Sequence, residues 1–231
     1  MNTEKEFHKA QAKILETLLY ATRARYSELM RATELDSDIF KFHIKKLQKI
    51  DLITKVSDGS YELTQDGKLL ASRLDIKTGR QIEQPKSSTL LVVKSGDLVL
   101  AHQRMREPFN GFWGVSSAPV IRGLPLVESA AHQLKSQTGI AAEFRVAGMY
   151  RVVDKNRRGV VLEDKIFSVL VAEIPKTIEA KNWPGGKSQW LSQSELLAKS
   201  QLFPITASVL SMIETGDSFR EDVCIYSDSE Y

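Results

Sequence analysis

The chain has 231 residues, of which 42% are hydrophobic and 26% are charged, a balance typical of a globular protein with two domains of ordinary size. No apolar run is long enough to span a bilayer and the N-terminus lacks a signal-peptide core, so we expect a cytoplasmic protein with no membrane partner. The single cysteine, Cys224, excludes an internal disulfide and a multi-cysteine zinc site, and the net charge of +3 does not by itself indicate nucleic-acid binding.

The N-terminal third begins with three segments of helical character. Apolar residues within 7–19 recur at helical spacing and predict a first helix, and a short second helix is expected over residues 26–32. Asp36 or Ser37 can cap a third helix that runs to about Lys49, because their side-chain oxygens accept hydrogen bonds from the first turn. The positions of this helix expected to face the core are Phe40, Ile44 and Leu47.

A hairpin is predicted directly after the third helix. Two β-prone runs, residues 52–56 and 61–64, flank the pair Asp58-Gly59, which favours a tight turn between strands. A further helix begins near Gln65. The order helix, helix, helix, hairpin is that of a winged helix-turn-helix.

Three motifs in this region resemble the recognition helix and wing of bacterial winged-helix regulators. They are His43-Ile44-Lys45-Lys46-Leu47, Leu52-Ile53 and Leu63-Thr64-Gln65-Asp66-Gly67. The resemblance implies an α+β winged helix-turn-helix domain over residues 1–75 that places its third helix in the major groove of double-stranded DNA. The candidate DNA-binding residues, on the face expected to be exposed and on the wing, are Ser37, Lys41, Lys45, Lys46, Lys55 and Ser57.

Some features of the same domain oppose DNA binding. Asp36, Asp38 and Asp58 would repel phosphates, and the third helix has no arginine. The alternative is a winged helix that contacts proteins, with its lysines merely solvated.

Residues 76–88 are predicted to be a linker because they have little apolar content and contain Gly, Pro and Ser.

After the linker, strands are predicted at 90–94 and 98–101, and longer strands at 144–153 and 165–173. A helix is predicted from Leu126 to Thr138, with Gly139 as its C-terminal cap. Its predicted buried stripe consists of Val127, Ala130, Ala131 and Leu134. Short helices are expected over residues 193–198 and 204–214.

This second region resembles the Nudix superfamily. The resemblance is carried by Gln103-Arg104, Gly111-Phe112-Trp113, the run Ala130–Gly139 and the run Trp190–Leu196. It implies an α/β/α Nudix-fold sandwich over residues 89–214.

The family's catalytic box reads G-x5-E-x7-R-E-U-x-E-E-x-G-U, where U is a bulky aliphatic residue. With the box anchored on Gly139-Ile140, its first glycine falls on Ala118 and its arginine on His132. The four glutamate positions are occupied by Leu124, Gln133, Ser136 and Gln137. Of the defining residues, Leu134, Gly139 and Ile140 remain.

Pyrophosphate cleavage in this family needs Mg²⁺ or Mn²⁺ held by carboxylates. The box of this chain offers none, so we predict no metal site, no catalytic residues, no cofactor and no Nudix hydrolysis. Other carboxylates are interpreted as solvated surface charges, namely Glu128, Asp154, Glu163 and Asp164.

The pocket of an inactive Nudix domain can still bind a nucleotide-like small molecule. Arg104 is a candidate for holding a phosphate, and Phe112 or Trp113 for stacking on a base. Arg151 is a further candidate cation, although an outward position is also compatible with its place in a strand. Trp113 is equally well interpreted as a core residue.

Residues 215–231 are interpreted as an acidic, solvated C-terminal tail.

Together the two domains resemble Nudix-related transcriptional regulators, in which a non-hydrolytic Nudix domain senses a nucleotide metabolite such as ADP-ribose and controls DNA binding. Those regulators usually carry the Nudix domain first, whereas here the order is reversed. The first hypothesis is a homodimeric transcriptional regulator. The alternatives are a Nudix nucleoside diphosphate hydrolase with an accessory winged helix, and a protein-binding adaptor.

Overall fold

The computed structural model describes residues 7–75, 77–227 and 229–231. The chain forms two compact units, Met1–Glu83 and Gln84–Tyr231, and the division falls inside the predicted linker 76–88. The first six residues of the predicted N-terminal domain, Ile76 of the linker and Asp228 of the acidic tail lie outside the described residues. Within the described ranges, no helix combines the length and apolar character that a membrane crossing requires.

The first unit has the predicted order of three helices and a hairpin. Its elements are α1 (Lys9–Ala21), β1 (Arg23–Ala24), α2 (Tyr26–Thr33), α3 (Ser37–Lys49), β2 (Ile53–Lys55), β3 (Tyr61–Leu63) and α4 (Gln65–Ala71). Strand β3 lies between β1 and β2, antiparallel to both. The predicted stripe of α3 is confirmed, since Phe40, Ile44 and Leu47 are all buried in one core with Leu15 and Leu29.

The motif Leu-Thr-x-x-Gly after the wing has a structural role. Oγ1 of Thr64 accepts a 3.0 Å hydrogen bond from the amide of Gly67 and donates a 2.6 Å bond to the carbonyl of Asp51. A Cβ atom on Gly67 would lie 1.9 Å from the carbonyl oxygen of Leu52, so only glycine allows α4 to approach this closely. The motif therefore fixes α4 against the turn that follows α3.

Much of the predicted linker is instead part of the first unit. Strands β4 (Leu74–Asp75) and β5 (Arg80–Gln81) form an antiparallel hairpin whose turn is organised by Asp75, which accepts a 2.9 Å hydrogen bond from the amide of Lys77. The amide of Phe7 donates a 2.9 Å bond to the carbonyl of Gly79. The prediction was wrong here because backbone hydrogen bonds and an Asp turn stabilise this segment, and neither requires apolar residues.

The second unit is a mixed sheet with helices on both faces. Its elements are β6 (Lys86–Ser95), β7 (Leu98–Arg104), β8 (Trp113–Pro119), α5 (Leu126–Thr138), β9 (Arg145–Asn156), β10 (Val161–Glu173), β11 (Gly186–Ser192), α6 (Gln193–Leu197), α7 (Ile205–Thr215) and β12 (Phe219–Tyr226). The strand order is β11-β7-β8-β6-β10-β9-β12, with β6 parallel to β10 and β9 parallel to β12.

Alternating residues of β6 enter two separate cores. Leu91 and Val93 pack in the cluster that contains Leu134 of α5. Leu90 and Val92 pack in the cluster that contains Leu196 of α6 and Val209 of α7. Because successive side chains of a strand point to opposite faces, this alternation places the sheet between two helical layers, as the predicted α/β/α sandwich requires.

The predicted acidic tail contributes the edge strand β12. Cys224 and Tyr226 are buried in the core of the second unit, and β12 pairs along its length with β9. Burial raises the pKa of the Cys224 thiol to about 11. The interpretation as a solvated tail was wrong because β12 lacks the usual alternation: Arg220 and Asp222 lie in phase with the buried Cys224 and Tyr226, while the apolar Phe219, Val223 and Ile225 are exposed.

Candidate functional site

The candidate DNA-binding residues lie on the surface of the first unit. Helical periodicity turns Lys41, Lys45 and Lys46 away from the buried stripe of α3, and all three are exposed. Ser37, the first residue of α3, is exposed as well, and so are Lys55 and Ser57 on the wing. This placement agrees with the expectation from the sequence, and their contact with DNA stays a prediction.

Two large apolar side chains share the exposed face of α3, and the sequence reasoning missed them. Ile39 is 49% exposed and Phe42 is 62% exposed. The signal was present in the periodicity, because Phe42 follows the buried Phe40 by two residues and therefore lies about 200° around the helix from it.

The turn of the wing is organised by Asp58. Its Oδ1 accepts hydrogen bonds from the amide and the hydroxyl of Ser60, at 2.9 and 2.6 Å. These bonds, the one from the Ser60 hydroxyl above all, hold the pKa of Asp58 below its usual value. Gly59 completes the turn with a φ of 83°. Asp58 is therefore a turn-forming residue, which explains an acid at the tip of the wing.

The second unit contains a cavity of about 430 Å³ on the sheet face that carries α7. Its apolar wall includes Leu90, Val115, Phe109, Phe167 and Ile205. Its charged residues are the cations Lys86, Arg104, Arg106 and Lys165 and the carboxylates Glu107 and Glu163. Because four cations and two carboxylates line the cavity, its lining carries a net positive charge. A positive lining with an apolar wall favours an anionic ligand that has an apolar part.

Arg104 lines this cavity and also holds the neighbouring loop. Its Nε donates to the carbonyls of Arg106, at 3.1 Å, and Pro108, and its Nη2 donates to the carbonyl of Glu107 at 3.3 Å. Burial lowers the pKa of Arg104, and the positive charge of Arg106 lowers it further. The guanidinium thus fixes the loop that supplies Phe109 to the cavity wall.

The other three predicted ligand residues are not among those that line the cavity. Phe112 is buried in the core against Phe109 and Phe203, a position that does not favour stacking on a base. Trp113 is partly buried and packs against the same core. The centroid of its ring lies 4.5 Å from Nζ of Lys199. Its backbone amide donates a 2.7 Å hydrogen bond to the carbonyl of Gln201.

Arg151 forms ion pairs on the surface of the sheet. It lies 3.1 Å from Asp164 on β10 and 3.1 Å from Glu221 on β12. Strand pairing sets the contact with Glu221, which is directly opposite Arg151 on β12, while Asp164 is two residues from Ile166, the residue opposite Arg151 on β10. The outward position left open by the sequence is the one observed.

A chain of ion pairs at the cavity was also missed. Nζ of Lys165 lies 2.6 Å from Asp154 and 2.8 Å from Glu163, which in turn lies 2.8 Å from Lys86. Burial raises the pKa of Asp154, which is 2% exposed, against the opposing effect of Lys165. Burial acts to raise the pKa of Glu163 too, but hydrogen bonds from Lys165 and Lys86 hold it below its usual value. The interpretation of Asp154 and Glu163 as solvated surface charges was wrong.

Helix α5 ends as predicted but buries a different stripe. Gly139 has a φ of 77° and caps the helix, and Ala130 and Leu134 are fully buried. Val127 is 37% exposed, contrary to the prediction. The buried positions after Leu134 are Gln137 and Thr138, which are polar and were therefore not counted in an apolar stripe.

The residues at the glutamate positions of the box do not fit a divalent metal ion. Leu124 and Ser136 are exposed, and Nε2 of Gln133 lies 3.4 Å from the carbonyl of Pro119. Oε1 of the buried Gln137 already accepts a 2.6 Å hydrogen bond from Ser116. Magnesium and manganese prefer carboxylate oxygens, and these positions provide none. In the part of the chain that the structure describes, no group of three or more His, Cys, Asp or Glu side chains is arranged to hold a metal ion.

The Winged helix-turn-helix family model matches residues 9–78. No curated relative matches the chain in sequence. Among solved structures, the Nudix domain of Shewanella oneidensis NrtR complexed with ADP ribose matches with 14% identity and a TM-score of 0.51, over 66% of this chain and 98% of that one. A MutT Nudix hydrolase from Burkholderia pseudomallei matches with 20% identity and a TM-score of 0.48, over 56% and 98% of the two chains.

At such low identity the NrtR likeness concerns the fold alone. The first unit is a winged helix-turn-helix domain and the second has the Nudix fold, in that order along the chain. Both fold predictions made from the sequence are therefore confirmed.

Proposed function

We propose that this chain is a transcriptional regulator that binds DNA through its winged helix-turn-helix and binds, without hydrolysing, a nucleotide-type ligand in its Nudix-fold domain. The observation that carries the proposal is the exposed face of α3, on which Lys41, Lys45, Lys46 and Lys49 all point away from the core. In a winged helix-turn-helix this is the helix that enters the major groove.

The lysines on α3 suit the phosphate backbone. Each lysine that neutralises a phosphate releases a bound counterion, which makes the affinity depend on salt. We further propose that the regulator is a homodimer, because helix-turn-helix proteins commonly read paired half-sites and a two-fold axis matches such sites.

DNA binding is tested by fluorescence anisotropy with a labelled duplex from upstream of the chain's own gene. The wild type is expected to bind in low salt, and Lys41→Ala/Lys45→Ala to bind at least about tenfold more weakly, with the salt slope reduced by about 2. Lys135→Ala/Lys187→Ala removes two exposed lysines of the second unit and serves as the matched control. Absence of wild-type binding in low salt, or equal losses in both variants, would contradict the proposal.

The ligand half of the proposal rests on the cavity of the second unit. Nucleotides combine phosphate groups with an apolar base, and the lining combines Lys86, Arg104 and Arg106 with an apolar wall. ADP-ribose is a suitable first probe because it is the ligand named for the Shewanella structure. Non-hydrolytic binding is proposed because the box positions carry no carboxylate.

A thermal-shift screen with ADP-ribose, nucleotides and nucleotide sugars tests this half. A ligand at about 100 times its Kd stabilises the folded state by about 2.7 kcal/mol. Arg106→Ala should reduce the shift because it removes one of the cations that line the cavity, whereas the exposed Arg122 lies outside the lining and Arg122→Ala should retain the full shift. A shift of equal size in Arg106→Ala, or no shift with any member of the panel, would contradict ligand binding in this cavity.

A protein-binding adaptor is the second candidate function. The observation that favours it is the exposure of Ile39 and Phe42 on α3, since exposed apolar pairs commonly mark protein interfaces. Under this alternative the anisotropy experiment shows no binding to any duplex.

A further inference from the structure

Ile39 and Phe42 occupy the part of α3 that a recognition helix presents to DNA. They are separated by three residues, so their side chains are neighbours on the helix surface, and both lie in its N-terminal half. The wild-type fold does not bury them: Ile39 is 49% and Phe42 is 62% exposed. Their apolar surface is therefore available to a partner.

The ring of Phe42 is positioned by its neighbours. It meets the ring of His43 edge to face, with centroids 5.4 Å apart. His43 is buried and stacks on His8, with centroids 4.5 Å apart. Phe42 thus contacts a buried side chain at one edge of its ring and exposes most of its surface.

The charges around this pair match the edges of a DNA groove. Lys41 precedes Phe42, and Lys45 and Lys46 follow it by three and four residues, so cations surround an apolar centre. In the major groove, phosphates line the rims and the C5-methyl group of thymine is the apolar group on the floor. Phenylalanine and other apolar side chains contact that methyl group in known recognition patterns.

We infer that Ile39 and Phe42 contact thymine methyl groups in the major groove, so that this domain selects DNA sites that contain thymine at the positions facing the N-terminal half of α3. The inference rests on the proposed DNA-binding function and adds the base that is read. Helix α3 contains no arginine, which is the usual reader of guanine, and Ile39 and Phe42 give its exposed face an apolar centre among its lysines.

The test replaces thymidine by deoxyuridine, which differs only in lacking the C5-methyl group of the base. The full chain is used to select duplexes from a random library, and each thymine of a selected duplex is then replaced in turn. Wild-type affinity should fall by about fourfold for each contacted methyl that is removed. Phe42→Ala should lose the difference between the thymine and uracil duplexes at the thymine that Phe42 contacts and keep it at the thymine that Ile39 contacts, and Phe42→Leu should retain part of the difference at the first.

Two controls separate this inference from the proposed function. Lys41→Ala should weaken binding to both duplexes by the same factor, because a lysine that neutralises a phosphate does not distinguish duplexes that differ in one methyl group. Thermal unfolding of Phe42→Ala should match the wild type, since the side chain is exposed. If the wild type binds the thymine and uracil duplexes with equal affinity while Lys41→Ala binds both more weakly, thymine recognition is overturned and the proposed DNA binding is not. Binding to no duplex would overturn both.

Discussion

The hydroxyl of Ser116 on β8 donates a 2.6 Å hydrogen bond to Oε1 of Gln137 on α5, and both side chains are buried. In the Nudix box the position of Gln137 belongs to a glutamate. A neutral amide accepting from a neutral hydroxyl satisfies a buried acceptor without any cation. The helix that carries the box is thus joined to the sheet through an uncharged contact.

Gln137→Glu should destabilise the second unit in a pH-dependent manner. Burial would raise the pKa of the introduced carboxyl above its unfolded value of about 4.3, so the loss of stability grows as pH rises through that value. We expect a loss on the order of 1–3 kcal/mol near neutral pH, measured by urea unfolding. Gln133→Glu, at a less buried position of the same helix, should have little effect. A loss of stability relative to the wild type that is the same in acid and at neutral pH would contradict this account.

Lys165→Met should be strongly destabilising because it leaves Asp154 buried without its cation. Removing one partner of a buried ion pair costs about 3–5 kcal/mol. Lys86→Met removes an exposed partner of Glu163 and should cost about 0–1 kcal/mol. Chemical unfolding of both variants near neutral pH makes the comparison, and similar losses would show that Asp154 does not depend on Lys165.

Gly67→Ala should disrupt the first unit, whereas Gly59→Ala should be tolerated. An added Cβ at Gly67 meets the carbonyl oxygen of Leu52 at 1.9 Å, so the backbone must move. At Gly59 nothing lies within 4 Å, and the cost is limited to about 1–2 kcal/mol for a positive φ. Circular dichroism melting should show a clearly larger decrease in Tm for Gly67→Ala. The reverse order would argue against the close approach of α4 to Leu52.

Protonation of His102 should destabilise the second unit in acid. Burial, followed by the positive charges of Arg104 and Arg106, lowers the pKa of His102 to about 4. The neutral ring is favoured in the folded state, so its contribution is complete above the unfolded pKa of about 6.5 and decreases as pH falls towards 4. The loss reaches up to about 3 kcal/mol.

Tryptophan fluorescence can follow this loss, because Trp113, Trp183 and Trp190 all belong to the second unit. His102→Gln removes the titrating group and should flatten the decrease between these pH values, while the exposed His132→Gln should leave it unchanged. An identical pH profile in the wild type and His102→Gln would show that another group is responsible.

Local signals made much of the fold predictable from the sequence. The spacing of Phe40, Ile44 and Leu47 fixes which face of α3 is buried, and the pair Asp58-Gly59 fixes the wing turn. Gly139 marks the end of α5 because a left-handed cap suits glycine. In each case the interaction that decides the structure lies within a few residues.

The cavity and its charges were not predictable in the same way. Lys86, Arg104 and Lys165 come from three strands, β6, β7 and β10, and only the strand order brings them together. The contact between Lys165 and Asp154 likewise depends on the register of two long strands. The aromatic ring of Phe112 has the chemistry for stacking on a base, but the sequence motif does not indicate whether the ring faces the core or the cavity, and it lies in the core.

The most direct test of the claim that the Nudix-fold domain does not hydrolyse nucleotides measures product formation by chromatography. The full chain is incubated with ADP-ribose, nucleoside triphosphates and nucleotide sugars, in Mg²⁺ and in Mn²⁺, with and without a chelator. Because the box positions offer Leu124, Gln133, Ser136 and Gln137 in place of carboxylates, products should stay at the level of the protein-free control. Turnover of any of these compounds that the chelator abolishes would contradict the account.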